Sequence, residues 1–241
     1  MKESNCPELI WEEEHRILTL EGQPVLEYDL RWPRLNNAKG GSRRINRYYS
    51  RLARQWRLRW QREVYWQACL DLAQKLAESR PFIPWAGSLT GEMTLWESGL
   101  LSLSLTGEER RGSKKICRVR WGDTWQVKEG APCPPSHFFQ KKAKWKNELL
   151  SQLIEEGQAM VKSGEHFFDS DWEARLPRWL NQAQVWLTEN RMEWAFPPCA
   201  ISPSAEGVPL FSLPREKPLQ NGETRQNQPS KKKLKKLKIT P

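Results

Sequence analysis

The side chains best suited to metal binding or nucleophilic catalysis are five cysteines and three histidines, scattered along the 241-residue chain. Cys133 and His137 are four residues apart, but no second pair of ligands lies at a matching spacing, so a zinc site is not predicted. The odd number of cysteines and the lack of a C-x-x-C pair favour reduced, mostly buried thiols. We expect neither a metal nor a cofactor. The eight residues are Cys6, Cys69, Cys117, Cys133, Cys199, His15, His137 and His166.

Common catalytic and nucleotide-binding motifs are absent from the sequence. It contains no G-x-S-x-G, no H-E-x-x-H, no Walker loop and no G-x-G-x-x-G after a strand. His137 and His166 are each followed by two phenylalanines, which favours packed histidines over catalytic ones. We therefore expect a protein that is not an enzyme.

A second chemical feature is a row of arginines. Residues 31–62 contain eleven basic side chains and no acidic one. On a helix, five of these arginines would share one side, where they could contact phosphates. The alternative is a solvated face that is partly neutralised by Glu12, Glu13 and Glu14. The five are Arg43, Arg47, Arg51, Arg54 and Arg57.

The remaining excess of positive charge lies at the C-terminus. Residues 215–241 hold nine basic and two acidic side chains, which leaves a net charge of only +3 for residues 1–214. This polar, lysine-rich stretch is predicted to be a disordered tail. It could make weak contacts with RNA or an anionic membrane, at about 1 kcal/mol per lysine, or act as a solubilising appendage. Its clustered lysines are Lys231, Lys232, Lys233, Lys235, Lys236 and Lys238.

The elements that would position these residues follow from periodicity and turn chemistry. Residues 8–32 read as a hairpin, with strands over 10–20 and 25–32. Residues 43–78 form a long amphipathic helix, because no Gly or Pro interrupts them and apolar residues recur every three or four positions. Leu101, Leu103 and Leu105 alternate with serines, which predicts a half-buried strand.

The rest of the chain alternates between short strands and helices. A charged loop is expected over residues 108–115, and helices over 141–162 and 171–180. Strands are expected over 92–96, 100–106, 116–121, 124–127, 184–187, 192–196 and 210–213. This order predicts an α+β fold, in which a largely antiparallel sheet packs against one long amphipathic helix and two or three shorter helices. We expect a single domain over residues 1–214, whose sheet and shorter helices occupy residues 89–214.

The segment 193–214 ends the predicted domain, and its prolines and glycine restrict the path of the backbone. It resembles the closing motif of the RsiV-like family, a bacterial domain of unknown function shared by the anti-sigma factor RsiV and the peptidoglycan deacetylase PdaC. Further matches occur in the family's order over residues 45–49, 100–105, 123–125, 169–172 and 185–188, so the resemblance covers roughly residues 8–214. The motif residues are Ile201, Pro203, Ala205, Gly207, Val208, Pro209, Phe211 and Pro214.

The resemblance implies a binding module and supplies no catalytic residue. Neither sigma-factor control nor lysozyme sensing carries over, because the sequence shows no membrane span, sigma-binding segment or export signal. A cytoplasmic protein is expected. The preferred function is non-catalytic binding of a protein or ligand. The alternatives are nucleic-acid or anionic-surface binding through the arginine-rich helix and lysine tail, and a cell-wall-related hydrolase or its accessory domain. The partner and the oligomeric state are not predicted.

Overall fold

A computed structural model describes residues 8–36, 38–139 and 144–215 of the chain. The predicted α+β class is confirmed: a largely antiparallel sheet packs against one long helix, and shorter helices follow. The predicted start of the second helix at residues 141–143 lies outside the described residues. So do the six tail lysines Lys231, Lys232, Lys233, Lys235, Lys236 and Lys238.

Six strands form the larger sheet in chain order, and every neighbouring pair except β2 and β3 is antiparallel. Two of its hairpins have two-residue turns, at Glu21-Gly22 and Ser98-Gly99, in which both residues have positive φ. The parallel pair requires a crossover, which the long helix provides. The strands are β1 (Leu9–Leu20), β2 (Gln23–Leu35), β3 (Trp85–Glu97), β4 (Leu100–Arg111), β5 (Lys114–Gln126) and β6 (Ala131–Pro132).

The long helix lies against this sheet and runs without a break from Gly41 to Ala77. It consists of α1 (Gly41–Arg59), a π-helical turn (Trp60–Val64) and α2 (Tyr65–Ala77). Two indoles sit directly on strand backbones that carry no side chain. A Cβ atom at Gly87 would lie 2.7 Å from the Trp60 ring, and one at Gly107 would lie 2.7 Å from the Trp56 ring. Glycines on the strands therefore allow the aromatic helix face to approach the sheet closely.

The C-terminal part builds a second hydrophobic core around a three-stranded antiparallel sheet. Its strands are β7 (Gln184–Leu187), β8 (Arg191–Ala195) and β9 (Leu210–Pro214), in the order β7-β8-β9. Helices α3 (Trp145–Ser163) and α4 (Trp172–Trp179) pack against this sheet, and short 3-10 turns occupy Pro135–Phe138, Leu180–Gln182 and Ser204–Glu206. Gly164 ends α3 with a φ of 74°, as its sequence position predicts.

The larger sheet meets the C-terminal sheet along β4 and β5, and this contact corrects one prediction. The leucine–serine strand is buried on both faces, because its serine face is covered by β7. Ser102 is fully buried, its Oγ accepts a hydrogen bond from the Leu187 amide at 2.7 Å, and it lies 3.0 Å from the Thr124 Oγ1 atom. The serines therefore do not face solvent: Ser102 hydrogen-bonds to the second sheet, and Ser104 donates to Glu92 on the neighbouring strand β3.

The predicted charged loop over residues 108–115 is also wrong. These residues form the end of β4, a tight turn at 112–113 and the start of β5. The Glu108 carboxylate on β4 forms ion pairs with Lys115 at 3.2 Å and with Arg118 at 3.1 Å, both on β5. Opposite charges on paired strands therefore stabilise a hairpin where the charged composition had suggested a loop. None of the helices in the described ranges is long and apolar enough to cross a membrane.

Candidate functional site

A cavity of about 690 Å³ lies between the larger sheet and the C-terminal sheet. We call it the intersheet cavity. Strands β3 to β5 form one wall, and α3, the segment 165–166 and strands β7 to β9 form the other. Five carboxylates line it against two guanidinium groups, so the cavity has an excess of negative charge. These charged residues are Glu92, Glu156, Glu165, Glu193, Glu206, Arg118 and Arg120.

Glu193 is the most unusual of these groups, because its carboxylate is buried and only half satisfied. The residue is 9% exposed, and its Oε1 atom accepts a hydrogen bond from Ser212 Oγ at 2.7 Å. Its Oε2 atom is buried and has no hydrogen-bond partner among the described residues. A buried carboxylate oxygen without a donor is costly, so this atom marks a place where a ligand can supply one.

The imidazole of His166 lies in the same cavity beside a second carboxylate. Its Nδ1 atom is 3.4 Å from Glu206 Oε2 but has no hydrogen bond of good geometry. Glu206 Oε2 also accepts a hydrogen bond from the Phe167 amide at 3.3 Å, which fixes the carboxylate against the segment after α3. Protonation of His166 would convert this contact into an ion pair.

The two guanidinium groups differ in their partners. Arg118 pairs with Glu108, whereas no hydrogen bond or ion pair involves Arg120 in the described part of the chain. Burial, and then the neighbouring charge of Arg118, lower the pKa of Arg120. Apolar side chains complete the walls, so a ligand that combines a charged group with an aliphatic part fits this chemistry. They are Met160, Trp186, Val208 and Leu210.

The family-like segment 193–214 contributes directly to this cavity. It forms β8, β9 and the 3-10 turn Ser204–Glu206 between them, and it supplies Glu193, Glu206, Leu210 and Ser212 to the walls. Ile201 and Phe211 are fully buried in the second core. The positive φ of 77° at Gly207 follows the turn that contains Ala205. Pro203 is half-buried, Pro209 is buried and Pro214 is exposed at the end of β9.

The structure separates the five arginines that share one side of the predicted helix. Arg57 Nε lies 2.9 Å from Glu14 Oε2 in an ion pair that lowers the pKa of that carboxyl. Arg43 Nε donates to the Ala38 carbonyl at 3.2 Å. Among the described residues, only three of the five are exposed and make neither a side-chain hydrogen bond nor an ion pair, namely Arg47, Arg51 and Arg54.

Two motifs that were matched far apart in sequence meet inside the fold. Trp125 Nε1 donates to Tyr49 Oη at 2.9 Å, and Tyr49 Oη donates to Asp123 Oδ2 at 3.2 Å. Burial raises the pKa of Asp123 and that of Tyr49. Because each polar atom in this chain of contacts has a partner, we interpret the cluster as an anchor between α1 and β5.

Other reactive side chains are dispersed among the described residues. Cys133 Sγ lies 3.5 Å from His137 Nδ1, and no group of three or more His, Cys, Asp and Glu side chains within the described ranges is arranged to hold a metal ion. Sequence reasoning missed the cavity residues. One available signal was Glu193, a single acidic residue inside the otherwise apolar strand 192–196.

Comparisons with known proteins identify the fold but not the activity. No family model and no curated protein matches the sequence. A crystal structure of a DUF3298 family member from Bacteroides fragilis has 11% identity, covers 86% of this chain and 90% of its own, and has a TM-score of 0.59. A DUF3298 family protein from Pseudomonas aeruginosa has 15% identity, covers 88% and 91%, and has a TM-score of 0.50.

The chain has the fold of DUF3298 proteins. At these identities the similarity concerns the fold alone, and the two neighbours are described only as members of that family.

Proposed function

We propose that this protein is a non-catalytic binding module of the RsiV-like type and that its ligand carries an ammonium group into the intersheet cavity. The observation that carries this proposal is the unpartnered Oε2 atom of buried Glu193. The ordered motifs over residues 8–214 support the RsiV-like assignment, and the cytoplasmic location expected from the sequence stays a prediction.

The chemistry of the cavity favours a primary amine on an aliphatic stem. An ammonium group brings three donors, one of which can reach Glu193 Oε2, and Glu156 and Glu206 add negative charge around it. Met160, Leu210 and other apolar side chains can cover the methylene groups of the stem. A diamine, a polyamine or the lysine side chain of a partner protein shares this chemistry.

The alternative function, a cell-wall-related hydrolase, also concerns this cavity, because the cavity wall contains a histidine and several carboxylates. A hydrolase that uses His166 as a general base needs a nucleophile within hydrogen-bond reach of the imidazole. Among the described residues, the polar contact of His166 is with the Glu206 carboxylate, and no hydroxyl or thiol group bonds to the ring. Ligand binding therefore accounts for His166 and the carboxylates without a nucleophile, which a hydrolase would need.

Glu193→Gln is expected to weaken binding of cadaverine or spermidine about tenfold or more, because it removes the charge that faces the ammonium group. Isothermal titration calorimetry with the full chain measures the effect.

Pentanoate, which has a similar stem with the opposite charge, should not bind. Glu155→Gln on the exposed side of α3 is the matched control and should bind like the wild type. Equal affinities of the two variants for the amines would contradict the proposal. A lysine-containing peptide that binds while free amines do not would assign the ligand to a partner protein.

The second candidate function is binding of single-stranded nucleic acid by the exposed arginines of α1. The observation that favours it is that Arg47, Arg51 and Arg54 are exposed and without ion pairs among the described residues, on a helix that also exposes Tyr48. Guanidinium groups can follow a phosphate backbone while an aromatic ring stacks on a base. The helix alone offers three exposed guanidinium groups for this contact, in addition to the lysines of the tail.

Changing Arg47, Arg51 and Arg54 together to Glu is expected to weaken binding of a single-stranded RNA about tenfold or more at low salt, and to reduce the salt dependence. Fluorescence anisotropy at several salt concentrations measures both effects. The matched control changes Lys128, Lys162 and Arg178 to Glu, which alters net charge equally at other exposed positions. If both triple variants lose the same affinity, the contact is non-specific and this candidate function is wrong.

A further inference from the structure

The chain leaves the described fold beside the intersheet cavity. Strand β9 supplies Leu210 and Ser212 to the cavity wall and ends at Pro214. The next residue, Arg215, is 7% exposed, and its Nη1 atom donates to Glu97 Oε2 at 3.1 Å and to the Thr188 carbonyl at 3.4 Å. Because Thr188 itself lines the cavity, everything that follows Arg215 is attached next to the site.

The sequence that follows carries the group that the cavity is proposed to bind. Residues 216–241 contain eight basic and two acidic side chains, and six of the basic ones are the lysines between positions 231 and 238. Fifteen residues lie between Arg215 and Lys231, and a chain of this length can span up to about 50 Å. The lysines can therefore reach the cavity from their point of attachment.

We infer that the lysine run 231–238 of this same chain occupies the intersheet cavity and competes there with free amine ligands. This inference rests on the proposed function of the cavity. A lysine side chain matches it in two ways, since the ammonium group can donate to Glu193 Oε2 and the methylene stem can pack on Met160 and Leu210. Tethering raises the effective concentration of the lysines to about the millimolar range, so even a weak contact would be populated.

Occupancy is tested first without any added ligand, by carbodiimide cross-linking of the full chain and mass spectrometry. The reagent activates a carboxylate, and attack by a nearby lysine amine forms an amide bond with release of the urea by-product. We expect intramolecular links from residues 231–238 to Glu156, Glu193 or Glu206. Glu13, Asp29 and Glu63 are the controls, because their side chains are 64–70% exposed whereas those of Glu156 and Glu206 are 34% and 33% exposed. Links distributed in proportion to exposure would overturn the inference.

Competition is tested by replacing the six lysines with Gln in the full-length chain, which keeps the tail length. We expect this variant to bind cadaverine at least threefold more tightly than the wild type, since the internal competitor is removed. Unchanged affinity together with no preferred link to the cavity carboxylates would overturn the inference while leaving the proposed function intact. Preferred links without amine binding in either chain would support tail occupancy and contradict the proposed function instead.

Discussion

Phe211→Ala should lower the free energy of unfolding by about 3–5 kcal/mol, because it removes a fully buried ring from the centre of the C-terminal core. The ring stacks on Phe168 at a centroid distance of 5.7 Å and meets Phe196 edge-on at 5.5 Å. On its other side a Cβ atom at Gly157 would lie only 3.1 Å from it, so helix α3 already packs tightly against the ring. Denaturant unfolding followed by circular dichroism measures the loss.

Phe167→Ala is the matched control for this prediction. Phe167 is 64% exposed and precedes the buried Phe168, so its removal should change the free energy of unfolding by less than about 0.5 kcal/mol. A similar loss for both variants would contradict the assignment of Phe211 to the core. Phe211 belongs to the family-like motif. A large loss of stability in Phe211→Ala would show that this motif residue serves core packing and not ligand contact.

Glu109→Gln should lower the free energy of unfolding by about 2–3 kcal/mol. The Glu109 carboxylate is 2% exposed and accepts hydrogen bonds from Arg59 Nε and Nη2 at 2.7 and 2.9 Å, and from Trp60 Nε1 at 3.0 Å. A neutral amide keeps the shape but turns one acceptor into a donor that faces a guanidinium group. The expected loss is smaller than for a fully buried pair, because the Arg59 side chain is 45% exposed.

Glu63→Gln is the control for Glu109→Gln, because both carboxylates pair with Arg59 but only that of Glu109 is buried. Glu63 Oε2 also pairs with Arg59, at 3.0 Å, but its side chain is 64% exposed, so the expected loss is below about 0.5 kcal/mol. Urea unfolding of both variants under identical conditions compares them. Equal losses would show that the Glu109 contacts contribute no more than a surface ion pair.

Local chemistry explains why most secondary structure could be predicted from the sequence. Gly22 and Gly99 permit two-residue turns, Gly164 ends α3, and an uninterrupted apolar period marks the long helix. Each of these signals acts within a few residues, so no knowledge of the fold is needed to read it. The prediction of a half-buried strand failed because a distant element changed the meaning of a local pattern, when β7 covered the serine face of β4.

The arginine row shows the same division between local and distant information. The helical period correctly places these side chains on one helix, but Glu14 on β1 determines that Arg57 is paired. The period could not distinguish Arg57 from Arg51, because the distinction depends on a strand that lies some forty residues earlier in the chain.

By itself the sequence determined the α+β class, the main turns, the long helix and the segment that closes the second sheet. Only the tertiary structure decided where a ligand could bind. The intersheet cavity joins Glu92 on β3, Glu156 on α3 and Glu193 on β8, which have no characteristic spacing. Its defining feature, an unpartnered buried carboxylate oxygen, arises when two sheets pack together and exclude water from one side chain. Burial of this kind is a property of the assembled fold, so no local pattern could have predicted it.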